Sequence, residues 1–117
     1  MEFRINDGYN KLYLIIIGFV MHITLRQLEV FEAVGRRLKR LAKHHQVLCV
    51  THLPQIAAHA HQHYKVSKAE IGGRTLATVE TLDAQGREDE IARMLAGDKV
   101  NPTARAHARA LLRQAAE

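Results

Sequence analysis

The run Val47-Leu-Cys-Val50 constrains this chain more than any other four residues. It is continuously apolar and carries a β-branched residue at each end. Such a run, between a helical pattern and a polar loop, predicts a strand buried on both faces of a parallel sheet. Thr51-His52-Leu53-Pro54 follows at once, so polar side chains fall at the strand's C-terminal end. Open α/β sheets bind ligands at that edge. Pro54 suits the first turn of a helix through Gln55–Ala60, because its missing N–H would be unpaired there anyway.

The flanking patterns extend this unit. Leu28, Phe31, Val34, Leu38 and Leu41 recur every three or four positions and predict a helix over Met21–His45, with Thr24 as N-cap. Arg36, Arg37, Lys39, Arg40 and Lys43 occupy its other face. Gly35 weakens this helix without ending it. Downstream, Tyr64–Lys68 and Arg74–Leu82 read as strands joined at Gly72-Gly73 into a β-hairpin. Asp83–Gly86 reads as a loop and Arg87–Ala96 as a helix, with Ile91, Met94 and Leu95 inward and Gly97 as C-cap. Asn101-Pro102 opens a last helix to about Ala115, burying Ala104, Ala108, Leu111 and Leu112.

Charge and composition exclude little. With 17 Lys and Arg against 12 Asp and Glu, the 117 residues carry a net charge of +5. A basic balance suits a nucleic-acid neighbourhood, but Arg36, Arg37, Arg40, Arg105, Arg109 and Arg113 stand at helical spacing and suit a solvated face equally well. A single cysteine forms no intrachain disulfide and fits a reducing, cytoplasmic setting. The apolar run Leu12–Val20 is about half of the roughly 20 residues that a membrane span needs. Arg4 and Lys11 precede it, as in a signal peptide, but no small-residue cleavage site follows. Its β-branched content favours a strand or an apolar tail, and no membrane association is expected.

His52 is the first candidate for chemistry. A neutral imidazole at a strand's end can donate one hydrogen bond to a phosphate or hold a water. A histidine satisfied by a nearby carbonyl is the structural alternative. His59, His61 and His63, with His44 and His45 upstream, read as a surface cluster, since no cysteine pair or acid completes a zinc site. Cys49 reads as a buried, unactivated thiol. The sequence contains no GxxxxGK[ST] phosphate loop and no aromatic-rich basic strand.

Gln46-Val-Leu-Cys-Val-Thr-His-Leu-Pro-Gln55 closely resembles the H-loop strand of RecN proteins, SMC-like members of the ABC ATPases. The likeness continues in order. It runs through Ala33–Leu41, His61–Lys68, Gly72-Gly-Arg-Thr75, Glu90–Gly97 and Ala104–Leu112. It covers roughly Glu32 to Ala115. The resemblance implies an α/β fold, the C-terminal fragment of a P-loop ATPase head: helix, buried parallel strand, short helix, β-hairpin, two C-terminal helices. It implies that His52 is a catalytic switch histidine at the γ-phosphate, and that Thr51 and Gln55 support its nucleotide contact. ATP and Mg are implied as cofactors, DNA as a partner, double-strand-break repair as the role, and the cytoplasmic nucleoid as the place. No metal ligand is carried over.

The departures from the family pattern are equally definite. Walker A, signature, Walker B and D-loop motifs are absent from the sequence, so this chain alone is expected not to turn over ATP. Instead Met21–Val34 resembles the start of a LysR-type regulator, without the recognition helix that should follow. The expected division is therefore an unrelated extension over 1–31 and a RecN-like segment over 32–117, joined near Glu32–Gly35. A small DNA-binding regulator, a basic module docking on an intact RecN head and self-association through unpaired edges of the Val47–Val50 strand are the alternatives.

Overall fold

The computed structural model describes Glu2–Phe3, Leu12–Ile17 and residues 25–117, with side chains from Gln27 onward. Thr24, the expected N-cap, and Gly18–Val20 of the apolar run lie outside the described residues. So do Arg4 and Lys11, which bear on the signal-peptide reading. Strands β1 (Glu2–Phe3) and β2 (Leu12–Ile17) come first, then helix α1 (Leu25–Leu41), strand β3 (Gln46–Thr51) and helix α2 (Pro54–Ala57). Strands β4 (Tyr64–Ile71) and β5 (Arg74–Thr81) and helices α3 (Ala84–Ala96) and α4 (Pro102–Ala116) complete the order.

β2 and β3 run parallel and pair along their whole length, from Leu12 opposite Gln46 to Ile17 opposite Thr51. Parallel strands need a crossover, and α1 provides it, so these three elements form a βαβ unit. This corrects the expectation that β3 lacks neighbours: one of its edges is fully paired. It also shows the apolar run to be a strand over Leu12–Ile17. Among the described residues no helix is long and apolar enough to cross a membrane.

The expectation of two buried faces also needs correction. Val47, Cys49 and Thr51 are buried, whereas Gln46, Leu48 and Val50 between them are half-exposed. The cause is one-sided cover. Cys49 packs with Leu53 and Ile56 near α2 and with Phe31, Val34 and Leu38 of α1. The alternation of a strand then leaves every second side chain on the less covered face.

Element ends differ from the sequence reading for local reasons. α1 stops at Leu41, short of His45, because the chain tightens into i→i+3 turns. There Lys43 N–H donates to Arg40 O and His44 N–H to Leu41 O. α2 is similarly cut short by the turns that His59 and Ala60 make on Ile56 and Ala57. The stretch Asp83–Gly86, expected as a loop, is the start of α3. The Asp83 carboxylate accepts the Gly86 N–H at 2.7 Å as N-cap. A glycine inside a first turn is tolerated when an aspartate caps it. Gly97 (φ 71°) closes α3 and Asn101 caps α4, as the sequence indicated.

Gly72 and Gly73 both take positive φ, 60° and 74°, the signature of a two-residue type I′ turn. It sets β4 against β5 in register from Ile71–Arg74 to Tyr64–Thr81. β1 adds to β4 at Lys65 and Tyr64, giving the order β1-β4-β5. α3 and α4 pack through small residues: Ala92, Ala104, Ala108 and Ala115 are buried around Ile91, which is fully enclosed.

Candidate functional site

β3 delivers its last residues to the end of the sheet, and the strand's alternation separates them. Thr51 points inward and is 4% exposed. Its hydroxyl oxygen accepts the Leu53 N–H at 3.0 Å, a side-chain-closed turn that leads the chain from β3 into Pro54. His52, the next residue, is exposed to solvent. Gln55 is half-buried one turn further on. Its backbone carbonyl accepts from His59, while its buried side-chain Oε1 accepts no hydrogen bond among the described residues. The three residues singled out by sequence thus occupy one short loop. Thr51 is committed to holding it, His52 is presented, and Gln55 keeps an acceptor unused.

The histidine cluster is a surface cluster only in part: His44 is exposed and His45 half-buried, but the cluster does not hold together at the surface further on. His61 is exposed, but His59 is 7% and His63 1% exposed. Both line a small cavity with Thr51, Cys49 and Val47, of about 20 Å³, room for roughly one water. His59 Nδ1–H donates to Gln55 O at 2.8 Å, which fixes the neutral tautomer with its lone pair on Nε2. Burial lowers the His59 pKa below the ordinary value, against the Gln55 hydrogen bond, which raises it; Lys39 and Arg36 add to the lowering. The ring lies against the backbone of α1 at Gly35. A Cβ there would stand 2.5 Å from His59 Nδ1. A glycine midway along an amphipathic helix was the signal of this close approach.

Sequence reasoning also missed a buried carboxylate. Glu90 is 4% exposed. Arg93 Nε donates to its Oε2 at 2.9 Å, and Lys65 Nζ lies 3.2 Å from the same oxygen, tying α3 to β4. Burial alone would raise the Glu90 pKa, but the bonds and charges of Arg93 and Lys65 outweigh it and hold the carboxyl below its ordinary range. Much of the basic excess is similarly occupied. Arg36 pairs with Glu32, Arg105 with Asp89 and Arg109 with Glu88. Arg87 donates to the carbonyls of Ala60 and Ala58 at the end of α2, and Lys39 to Ala115 O at the end of α4. Arg37, Arg40 and Arg113 remain on the solvated face that their spacing suggested. Among the described residues no three His, Cys, Asp or Glu side chains are grouped to hold a metal ion.

Comparison with known proteins gives one consistent result. No protein-family model matches the chain. It is 49% identical over 88 residues to the DNA repair protein RecN of Xylella fastidiosa (strain Temecula1). It is 54% identical over 80 residues to that of Deinococcus radiodurans, and 41% over 86 residues to that of Bacillus subtilis (strain 168). These matches cover 75%, 68% and 74% of this chain but only 16%, 14% and 15% of the relatives. The chain thus spans about one sixth or less of the curated relatives it matches. The similarity supports reading the matched part as a C-terminal RecN segment.

Proposed function

We propose that residues 32–117 are the C-terminal segment of a RecN-type, ABC/SMC-like P-loop ATPase head, and that the role they derive from is DNA repair. The observation that carries this reading is His52. It stands exposed at the C-terminal end of a parallel strand, within the segment whose sequence resembles the family's H-loop. In this reading His52 contacts the terminal phosphate. Thr51 holds the loop through Leu53, and Gln55 supports it through its backbone carbonyl, which accepts from His59. DNA is the partner that the RecN relatives' role implies, and the cytoplasmic nucleoid the corresponding place.

The residues fit one polar contact to ATP and no more. The phosphoryl chemistry itself would come from ATP with its magnesium ion. This chain's part is positional: one imidazole N–H placed by β3 and steadied by the Thr51 turn. Phosphoryl transfer depends on cradling and neutralising the phosphates, and each missing group is worth orders of magnitude in rate. The sequence lacks a GxxxxGK[ST] loop, and β2, which lies beside β3, reads Leu-Tyr-Leu-Ile-Ile-Ile with no acid. The chain alone is therefore expected to show no magnesium-dependent ATPase rate. A rate abolished by His52→Ala would overturn that. Amide shifts on adding Mg-ATP that centre on Thr51–Gln55 would support the assignment, and shifts confined to other elements would refute it.

The boundary at 31/32 belongs to the resemblance and not to the fold, since α1 runs through it from Leu25 to Leu41. The LysR-like stretch contributes the first part of α1. α1 leads into β3 with no second helix between, so we assign it no operator-binding role.

A further inference from the structure

We propose that the outer edge of β5 pairs antiparallel with β5 of a second copy of this chain, about a two-fold axis at Ala77. The inference is independent of the nucleotide reading above. Among the described residues β5 is an edge strand, with β4 on one side only. Every side chain from Arg74 to Thr81 is exposed, including Leu76 at 49% and Val79 at 64%. Edge strands are ordinarily protected by a lysine, a proline or a bulge. β5 has none of these, and Thr75–Val79 carries no charge at all.

The backbone fixes which groups face outward. Leu82 N–H donates to His63 O at 2.9 Å, one step beyond the paired ends of the hairpin. In an antiparallel ladder hydrogen-bonded pairs alternate with non-bonded ones. Even-numbered residues of β5 therefore bond to β4, and Thr75, Ala77 and Val79 turn N–H and C=O away from it.

Charge then selects the register. With Ala77 opposite its own copy, Thr75 faces the second copy's Val79, and these three residues fall in hydrogen-bonded pairs. Arg74 comes opposite Glu80, twice by symmetry. The Leu76 side chains of the two copies become diagonal neighbours on the same face. Moving the axis to the next outward residue, Thr75 or Val79, sets Arg74 against Leu76 or Ala84, and both ion pairs are lost. The small Ala77 side chain lets the two strands meet at the axis. The product is one continuous sheet of six strands.

Sedimentation velocity of the full chain over micromolar to millimolar concentration should show a monomer–dimer equilibrium. Ala77→Pro should abolish the dimer while leaving the hairpin intact by NMR, because the N–H it removes does not serve β4. Arg74→Glu and Glu80→Arg place like charges opposite each other in their own dimers. Each should weaken dimerisation by about tenfold, and an equimolar mixture of the two should restore it as a heterodimer. The charge-reversal pair carries the test by itself if the proline variant fails to fold. A monomer at every concentration, a dimer indifferent to Ala77→Pro, or a mixture no tighter than its components would each overturn the proposal.

Discussion

β3 and β5 are both short strands rich in valine and threonine, yet they meet opposite fates. In β3, alternate side chains are buried beneath α1 and α2, and β2 pairs along one edge. In β5, no side chain is buried and, among the described residues, only β4 pairs. Composition gives each stretch its extended backbone. Burial is conferred by what covers the strand. The lesson is that the apolar content of a strand does not measure its contribution to stability.

A matched pair of substitutions breaks or confirms this contrast most directly. Val47 is 0% exposed and Val79 is 64% exposed. Val47→Ala should cost about 2–3 kcal/mol, from lost burial plus the cavity left behind. Val79→Ala should change stability by less than about 0.5 kcal/mol in dilute solution. Urea denaturation of both variants decides it, and equal losses would sink the comparison.

The next effect sharpens the β3 side. Replacing a helical glycine by alanine normally gains up to about 1 kcal/mol. Gly35→Ala should instead lose roughly 1–2 kcal/mol, because the new methyl would collide with His59, and overpacking of this kind is costly. A stabilised variant would show that His59 does not hold its place against α1. On the hairpin side, Gly73 has φ +74° and nothing within 4 Å of an added Cβ. Gly73→Ala should cost only the backbone strain, about 1 kcal/mol. Thermal melts would reveal any larger loss, which would mean the turn is packed after all.

The smallest expected effect is a pH dependence. The folded pKa of His59 is below the ordinary value, chiefly through burial. As pH falls below about 6.5, the unfolded chain takes up this proton first. The stabilisation is therefore complete above that pH and is lost as pH falls through the lower, folded value. The urea midpoint should drop between neutrality and pH 5, and His59→Gln should flatten the drop. An unchanged profile would contradict the burial of the ring. No histidine lies in β4 or β5, so the effect belongs to the covered part of the molecule.

Legibility followed the range of the interactions. The strand at Val47–Val50, the glycine turn, the Asn101-Pro102 helix start and the inward faces of α3 and α4 were readable because propensity, capping and turn geometry act within a few residues. The loop Thr51–Gln55 was singled out as a candidate site by the resemblance, not by its local propensities. The Asp83 cap was visible in principle, but Asp83–Gly86 read as a loop. Illegible were the parallel partner of β3, the burial of His59 and His63, and the ion pairs of Glu90 with Arg93 and Lys65. Most of these rest on residues far apart in sequence that only packing brings together. Periodicity is silent about what stands opposite.

The sequence by itself determined the succession of helices and strands from α1 onward, the glycine turn and the likeness to RecN, since all are written in local residue order. Only the tertiary structure decided that β3 has one covered face and a paired edge. It alone separated the inward Thr51 from the exposed His52, and it alone left β5 bare. The physical reason is that burial and edge pairing depend on the position of neighbours in space, which a strand's own residues do not encode.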